Sequence, residues 1–122
     1  MHSFSMYICT MSSGKLIKGT LQTIILRLLE ENEELYGYEI SQKVKELSGG
    51  EFVLTEGALY PALHKLEADG FVKTTTGTVD GRIRKYYALS QRGEIEAKEK
   101  LNEAAVFIEK LQQVLNLKPS TS

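Results

Sequence analysis

The chain has one cysteine, Cys9, among 122 residues, and two histidines, His2 and His64, that are far apart. A single thiol excludes an internal disulfide and a multi-cysteine metal site, and neither histidine has a ligand partner at metal-binding spacing. Cys9 reads as a stray residue in a loose N-terminal arm, against the rival reading of a redox or nucleophilic thiol. No stretch approaches the roughly 20 apolar residues that cross a bilayer. Met1 to Ser13 lacks Lys and Arg, and its apolar run from Met6 to Cys9 is too short for a secretory signal, so a cytoplasmic location is expected. A phosphate loop, a nucleophile–base pair and paired carboxylates are also missing, so neither an enzyme nor a cofactor is expected. Glu56 and Glu67 read instead as a helix-start charge and a solvated residue.

An excess of positive charge is lacking as well. Fifteen Lys and Arg face sixteen Asp and Glu, a net charge of −1, which is not the balance of a strongly basic nucleic-acid protein. The distribution is uneven, however. From Phe71 to Gly93 the charges are Lys73, Arg82, Arg84, Lys85 and Arg92 against Asp80 alone, a local +4, whereas Glu30, Glu31, Glu33 and Glu34 cluster elsewhere.

What remains is ordinary for a folded domain, with 42% hydrophobic and 25% charged residues. So short a chain buries little surface alone, which a partner subunit would relieve. Residues 1–14 show no period and read as a flexible arm, with Met6 and Met11 leaving open a later translation start. Ile17, Leu21, Ile24, Ile25, Leu28 and Leu29 recur at three- and four-residue steps, predicting a helix from about Thr20 to Asn32. Leu35-Tyr36-Gly37 breaks that pattern. Ile40, Val44 and Leu47 line a second helix over Tyr38–Leu47, stopped by Ser48-Gly49-Gly50. Phe52-Val53-Leu54 is too short for a helix and fits a small strand.

Thr55 is placed to cap a third helix marked by Leu59, Leu63 and Leu66 and closed by Gly70. Pro61 inside it predicts a kink or a late start, because proline removes one hydrogen bond and crowds the carbonyl of Gly57. Phe71 to Thr76 is β-branched and aromatic, Gly77 to Gly81 reads as a turn, and a returning strand follows. On that strand Ile83, Tyr87 and Leu89 share one face with Lys85 interrupting, and Arg82, Arg84 and Tyr86 share the other. Ser90 caps a final helix from about Gln91 to Asn116, roughly 39 Å long. Its residues Ala97, Leu101, Ala104, Ile108, Leu111 and Leu115 alternate four- and three-residue steps as a heptad seam, with Phe107 and Val114 beside it. Residues 118–122 form a polar tail.

Helix, helix, short strand, helix, hairpin and long helix is the layout of a winged helix-turn-helix. The fold class is therefore mainly α with a small β-hairpin. Residues 15–90 form the winged unit and residues 91–117 a C-terminal dimerisation helix. In that layout the third helix enters a DNA major groove and the hairpin lies over a neighbouring groove or the backbone. Thr55, Gly57, Ala58, Tyr60, Pro61, His64 and Lys65 become candidate contacts from the helix, and Lys73, Arg82, Arg84 and Lys85 from the wing, helped by Lys15 and Lys18. The rival reading of the basic hairpin is a solvated strand edge that discourages aggregation. The apolar seam likewise either covers the core or meets a second chain. Its length favours the second, with Leu101, Ala104, Phe107, Ile108, Leu111 and Leu115 at the dimer contact.

Tyr36-Gly37-Tyr38-Glu39-Ile40, Thr55 through Glu67, Gly70-Phe71-Val72, and Arg84 through Ser90 with Gly93 resemble the PadR family of transcriptional regulators, as do Gly19-Thr20-Leu21 and the first helix. The resemblance covers about Leu16 to Leu117. It implies a winged-helix homodimer on double-stranded operator DNA that represses a neighbouring transporter or stress-response operon and is released by a small lipophilic effector. It places Tyr60, Pro61 and His64 on the reading helix and Arg82, Arg84 and Lys85 on the wing. Some drug-binding members use tryptophan at the dimer interface, and this chain has none, so stacking by that route is absent. The effector cavity is expected between the paired terminal helices near Phe107 and Ile108. The rival function is a winged-helix module that binds protein without DNA, favoured by the acidic third helix.

Overall fold

The computed structural model describes residues 17–117. The expected arm at 1–14 and tail at 118–122, with Lys15, His2 and Cys9, lie outside the described residues. Helix α1 (Leu21–Glu31) follows the expected period and buries Leu21, Ile25, Leu26, Leu28 and Leu29. A two-residue strand β1 (Leu35–Tyr36) leads directly into α2 (Gly37–Leu47). The backbone N–H of Tyr36 donates to the Glu39 carboxylate at 3.1 Å, which occupies one of the donors left open at a helix start.

The expected strand at Phe52-Val53-Leu54 does not form. Phe52 and Val53 are exposed and only Leu54 packs on the core. A strand needs a neighbour, and the place beside the hairpin is taken by Leu35–Tyr36, which read in sequence only as a break. Helix α3 (Glu56–Ala68) starts where Thr55 was expected to cap it, the Thr55 hydroxyl accepting from the Ala58 N–H. The helix begins ahead of Pro61, so there is no late start.

Strands β2 (Val72–Val79) and β3 (Arg82–Leu89) form the wing, and the sheet order is β1-β3-β2, antiparallel throughout. The turn is narrower than the expected Gly77–Gly81. Only Asp80 and Gly81 lie outside the strands, both at positive φ (52° and 75°), as a two-residue hairpin turn that follows the strand twist requires. The alternation along β3 is as expected at Tyr87, which is buried, and at Leu89, which packs on the core. Ile83 is 79% exposed because the tip of the wing reaches beyond the core it would otherwise cover.

Helix α4 (Gln91–Leu115) has Ser90 as its cap, the hydroxyl accepting from the Gly93 N–H at 3.0 Å. The core gathers α1, α2, α3, the base of the wing and Ala97 of α4, with Ile25, Leu26, Ile40, Leu63, Leu66 and Tyr87 its largest fully buried side chains. Each such burial contributes about 1.5–3 kcal/mol.

One corner ties these elements together. Gly70 adopts a left-handed φ of 81° at the end of α3, which lets the Phe71 N–H reach the Leu66 carbonyl at 2.9 Å. The Ser90 hydroxyl donates to the Gly70 carbonyl at 2.6 Å, and the Ser90 N–H donates to that of Phe71 at 3.0 Å. Gly93 lies so close to the Phe71 carbonyl that a Cβ would collide with backbone. Gly93→Ala is therefore expected to lower Tm by at least about 4 °C, although alanine elsewhere in a helix stabilises relative to glycine. An unchanged or raised Tm in thermal unfolding would show that the corner yields.

Candidate nucleic-acid interface

With Leu59, Leu63 and Leu66 buried, α3 turns Thr55, Gly57, Ala58, Tyr60, Pro61, His64 and Lys65 outward, and all seven are exposed. Gly57 and Ala58 leave a smooth surface at the first turn, suited to close approach of a duplex. Tyr60 is less free, being only 36% exposed. Its ring lies against Gly37, where a Cβ would fall 2.8 Å from Tyr60 Cζ and nearer still to the hydroxyl. Gly37 thus lets the start of α2 and the outward face of α3 come together.

A concavity of about 300 Å³ forms where α2, α3 and β3 meet, and it brings Tyr60 and His64 of α3 beside Arg84 and Lys85 of the wing. Its wall also includes Tyr36, Tyr38 and Tyr87. The Arg84 guanidinium lies 5.0 Å from the Tyr36 ring centroid, and Tyr36 meets Tyr86 edge-on at 5.5 Å between centroids. This stack holds the arginine against β1 and leaves its Nε buried without a hydrogen-bond partner. Burial pushes the Tyr87 phenol above its ordinary pKa, with Lys85 opposing the rise and Glu67 adding to it. Tyr86 is raised too, first by desolvation and then by Glu39, Tyr36 and Glu34, against Arg84. Both phenols therefore stay protonated at neutral pH and can donate hydrogen bonds.

The remaining wing cations are dispersed. Arg82 is exposed next to the turn. Lys73 is exposed on β2 and lines a separate cleft with Glu30, Glu31, Glu33 and Glu34, away from His64. Lys18 is exposed near the start of α1. Carboxylates occupy two of the expected contacts: Lys65 Nζ is 3.3 Å from Asp69 and Lys85 Nζ 3.4 Å from Glu67. Among the described residues Lys73, Arg82 and Arg84 make no ion pair. Nor do the described residues contain a cluster of His, Cys, Asp or Glu fit to hold a metal, or a helix long and apolar enough to cross a membrane.

The seam of α4 divides along its length. Ala97 is buried and Leu101 and Ala104 are half-buried, whereas Phe107, Ile108, Leu111 and Leu115 are exposed. The first part covers the core and the second projects past it.

Residues 25–99 match the model of the PadR-like family of transcriptional regulators. The chain belongs to this family. A transcriptional regulator from Clostridium thermocellum is 34% identical to it, with a TM-score of 0.71 over 84% of this chain and 95% of that one. Bacillus subtilis PadR, solved in complex with operator DNA, is 32% identical, with a TM-score of 0.61 over 67% of this chain and 46% of that one. Transcriptional regulator Rv3488 of Mycobacterium tuberculosis is 39% identical over 62 residues, 51% of this chain and 55% of that protein.

The PadR-like motifs noted in the sequence now have physical roles. Gly70-Phe71 and Ser90 with Gly93 build the corner between α3, wing and α4. Tyr36-Gly37-Tyr38 forms the wall against which Arg84 and Tyr60 rest. Sequence reasoning assigned that tripeptide no site role. Its alternation of aromatic, small and aromatic residues was the available signal, but only the pairing of β1 with β3 connects it to the wing.

Proposed function

We propose that this PadR-family regulator binds double-stranded operator DNA as a homodimer, represses a neighbouring transporter or stress-response operon, and is released by a small lipophilic effector. It acts by binding, with no catalytic step. The observation that carries the DNA contact is the concavity joining Tyr60 and His64 to Arg84 and Lys85. There a helix able to reach base edges stands beside cations able to hold phosphate. Residues 15–90 would be the DNA-binding unit, with Lys73 and Arg82 adding charge at the margin, and residues 91–117 the dimerisation helix. Bacillus subtilis PadR, captured on operator DNA, supports the same use of this fold.

The exposed apolar residues Phe107, Ile108, Leu111 and Leu115 support self-association, because a bare seam of this kind is stable in water when a second copy covers it. The two reading helices would then enter successive major grooves about one DNA turn apart, on an inverted repeat. A groove of about 930 Å³ between α1 and α4 is lined by Leu26, Ala104, Phe107 and Leu111 together with Lys18, Gln22, Glu96, Lys100 and Glu103, and is large enough for a lipophilic effector that also carries polar groups.

The second reading, a module that binds protein and not DNA, draws on the carboxylates paired to Lys65 and Lys85. A gel shift with the chain's own promoter region separates the two. A specific shift that weakens with salt supports the regulator on DNA, and no shift at any salt concentration supports the module.

A further inference from the structure

Glu67 read in sequence as a solvated residue, yet its carboxylate is turned into the joint between α3 and the wing. One oxygen accepts from Thr74 Oγ1 at 3.2 Å and the other lies 3.4 Å from Lys85 Nζ. Thr74 pairs with Tyr87 and Thr76 with Lys85 across the hairpin, so Thr74 and Lys85 are diagonal neighbours on the face toward α3. The Lys85 ammonium also lies 5.5 Å from the Tyr87 ring centroid. One carboxylate therefore joins the reading helix to both strands of the wing and claims a cation that the proposed interface needs.

We propose that Glu67 is a built-in competitor for DNA phosphate, holding Lys85 in the free protein so that binding any duplex exchanges a carboxylate for a phosphate. This rests on the DNA-binding reading above. The Lys85 and Glu67 side chains keep 43% and 37% of their exposure, so the pair is weak and opens readily. The cost of opening it lowers affinity without regard to base sequence, because phosphate contacts carry no sequence information. The carboxylate thus weakens the hold on bulk DNA while leaving the ratio between operator and random duplex unchanged.

The test compares the full chain with Glu67→Gln, Lys85→Gln and the double variant. Each is titrated on a duplex from the chain's promoter region and on a random duplex, from about 50 to 200 mM salt. Glutamine can still accept from Thr74, so the joint is kept and thermal unfolding should remain within a few degrees of wild type. Glu67→Gln is expected to bind both duplexes about two- to fivefold more tightly, by the same factor. Its log–log salt slope should steepen by up to about 0.9, the contribution of one freed phosphate contact. In the Lys85→Gln background most of that gain should vanish. Wild-type binding with no gain or steepening in Glu67→Gln, or a gain that persists in full without Lys85, overturns this proposal alone. Wild-type indifference to both duplexes overturns the DNA-binding reading with it.

Discussion

Arg84→Gln combined with Lys85→Gln is expected to weaken binding to every duplex by roughly ten- to a hundredfold, from the loss of two charge-assisted contacts. It should flatten the log–log salt dependence by about 0.9 to 1.8, because each lost phosphate contact removes about 0.9 from the slope and Lys85 makes its contact only on leaving Glu67. The two side chains leave opposite faces of β3 but converge on the concavity beside His64. They should not contribute equally. The Arg84 guanidinium is held over Tyr36 and pairs with no carboxylate among the described residues, whereas Lys85 must first leave Glu67. Arg84→Gln alone should therefore account for most of the loss. Glutamine retains part of the aliphatic stem, which limits any loss of packing. Titration of operator and random duplexes at several salt concentrations checks the result, and an unmoved affinity and slope would remove the wing from the interface.

The second large effect is expected at the far end of α4. Ile108 and Leu115 stand two turns apart on the seam, both more than half exposed, at 56% and 54%. Ile108→Glu with Leu115→Glu would force two charges into any interface built on that seam, where an unpaired buried charge is strongly destabilising. The protein should then sediment with the mass of one protomer. Operator affinity should fall by at least about a hundredfold, because linking two half-site modules raises avidity by roughly 10² to 10⁴. Neither residue belongs to the protomer core, so helix content by circular dichroism should persist. A two-chain mass for this variant would place self-association elsewhere on the surface.

Much of this protein was legible before its structure. Helices α1 to α4 announce themselves through apolar spacing. Thr55 and Ser90 were identifiable as caps because a hydroxyl ahead of such a pattern can accept the open N–H groups of the first turn. The outward face of α3 followed from the inward one. Other features resisted for particular reasons. Leu35–Tyr36 has no periodicity to read, since two residues form a strand only because Tyr87 and Tyr86 lie opposite. Phe52-Val53-Leu54 has strand composition without a neighbour to pair with. The Asp80–Gly81 turn carried a readable signal, but the broader run beginning at Gly77 obscured it. Glu67 looked solvated because nothing local to α3 shows that the hairpin folds back to place Thr74 and Lys85 beside it.

By itself, then, the order of residues determined the helices, the buried faces of α1 and α3, the basic hairpin and the membership of a regulator family. Each of those depends on spacing over a few turns, or on motifs readable in line. Leu47, by contrast, expected to line α2 with Ile40 and Val44, is 76% exposed. Only the tertiary structure decided which cations stand free and which are held by carboxylates, where Tyr60 rests, and how far α4 outruns the core. Those depend on contacts between segments remote in sequence, whose meeting is set by sheet register and helix packing.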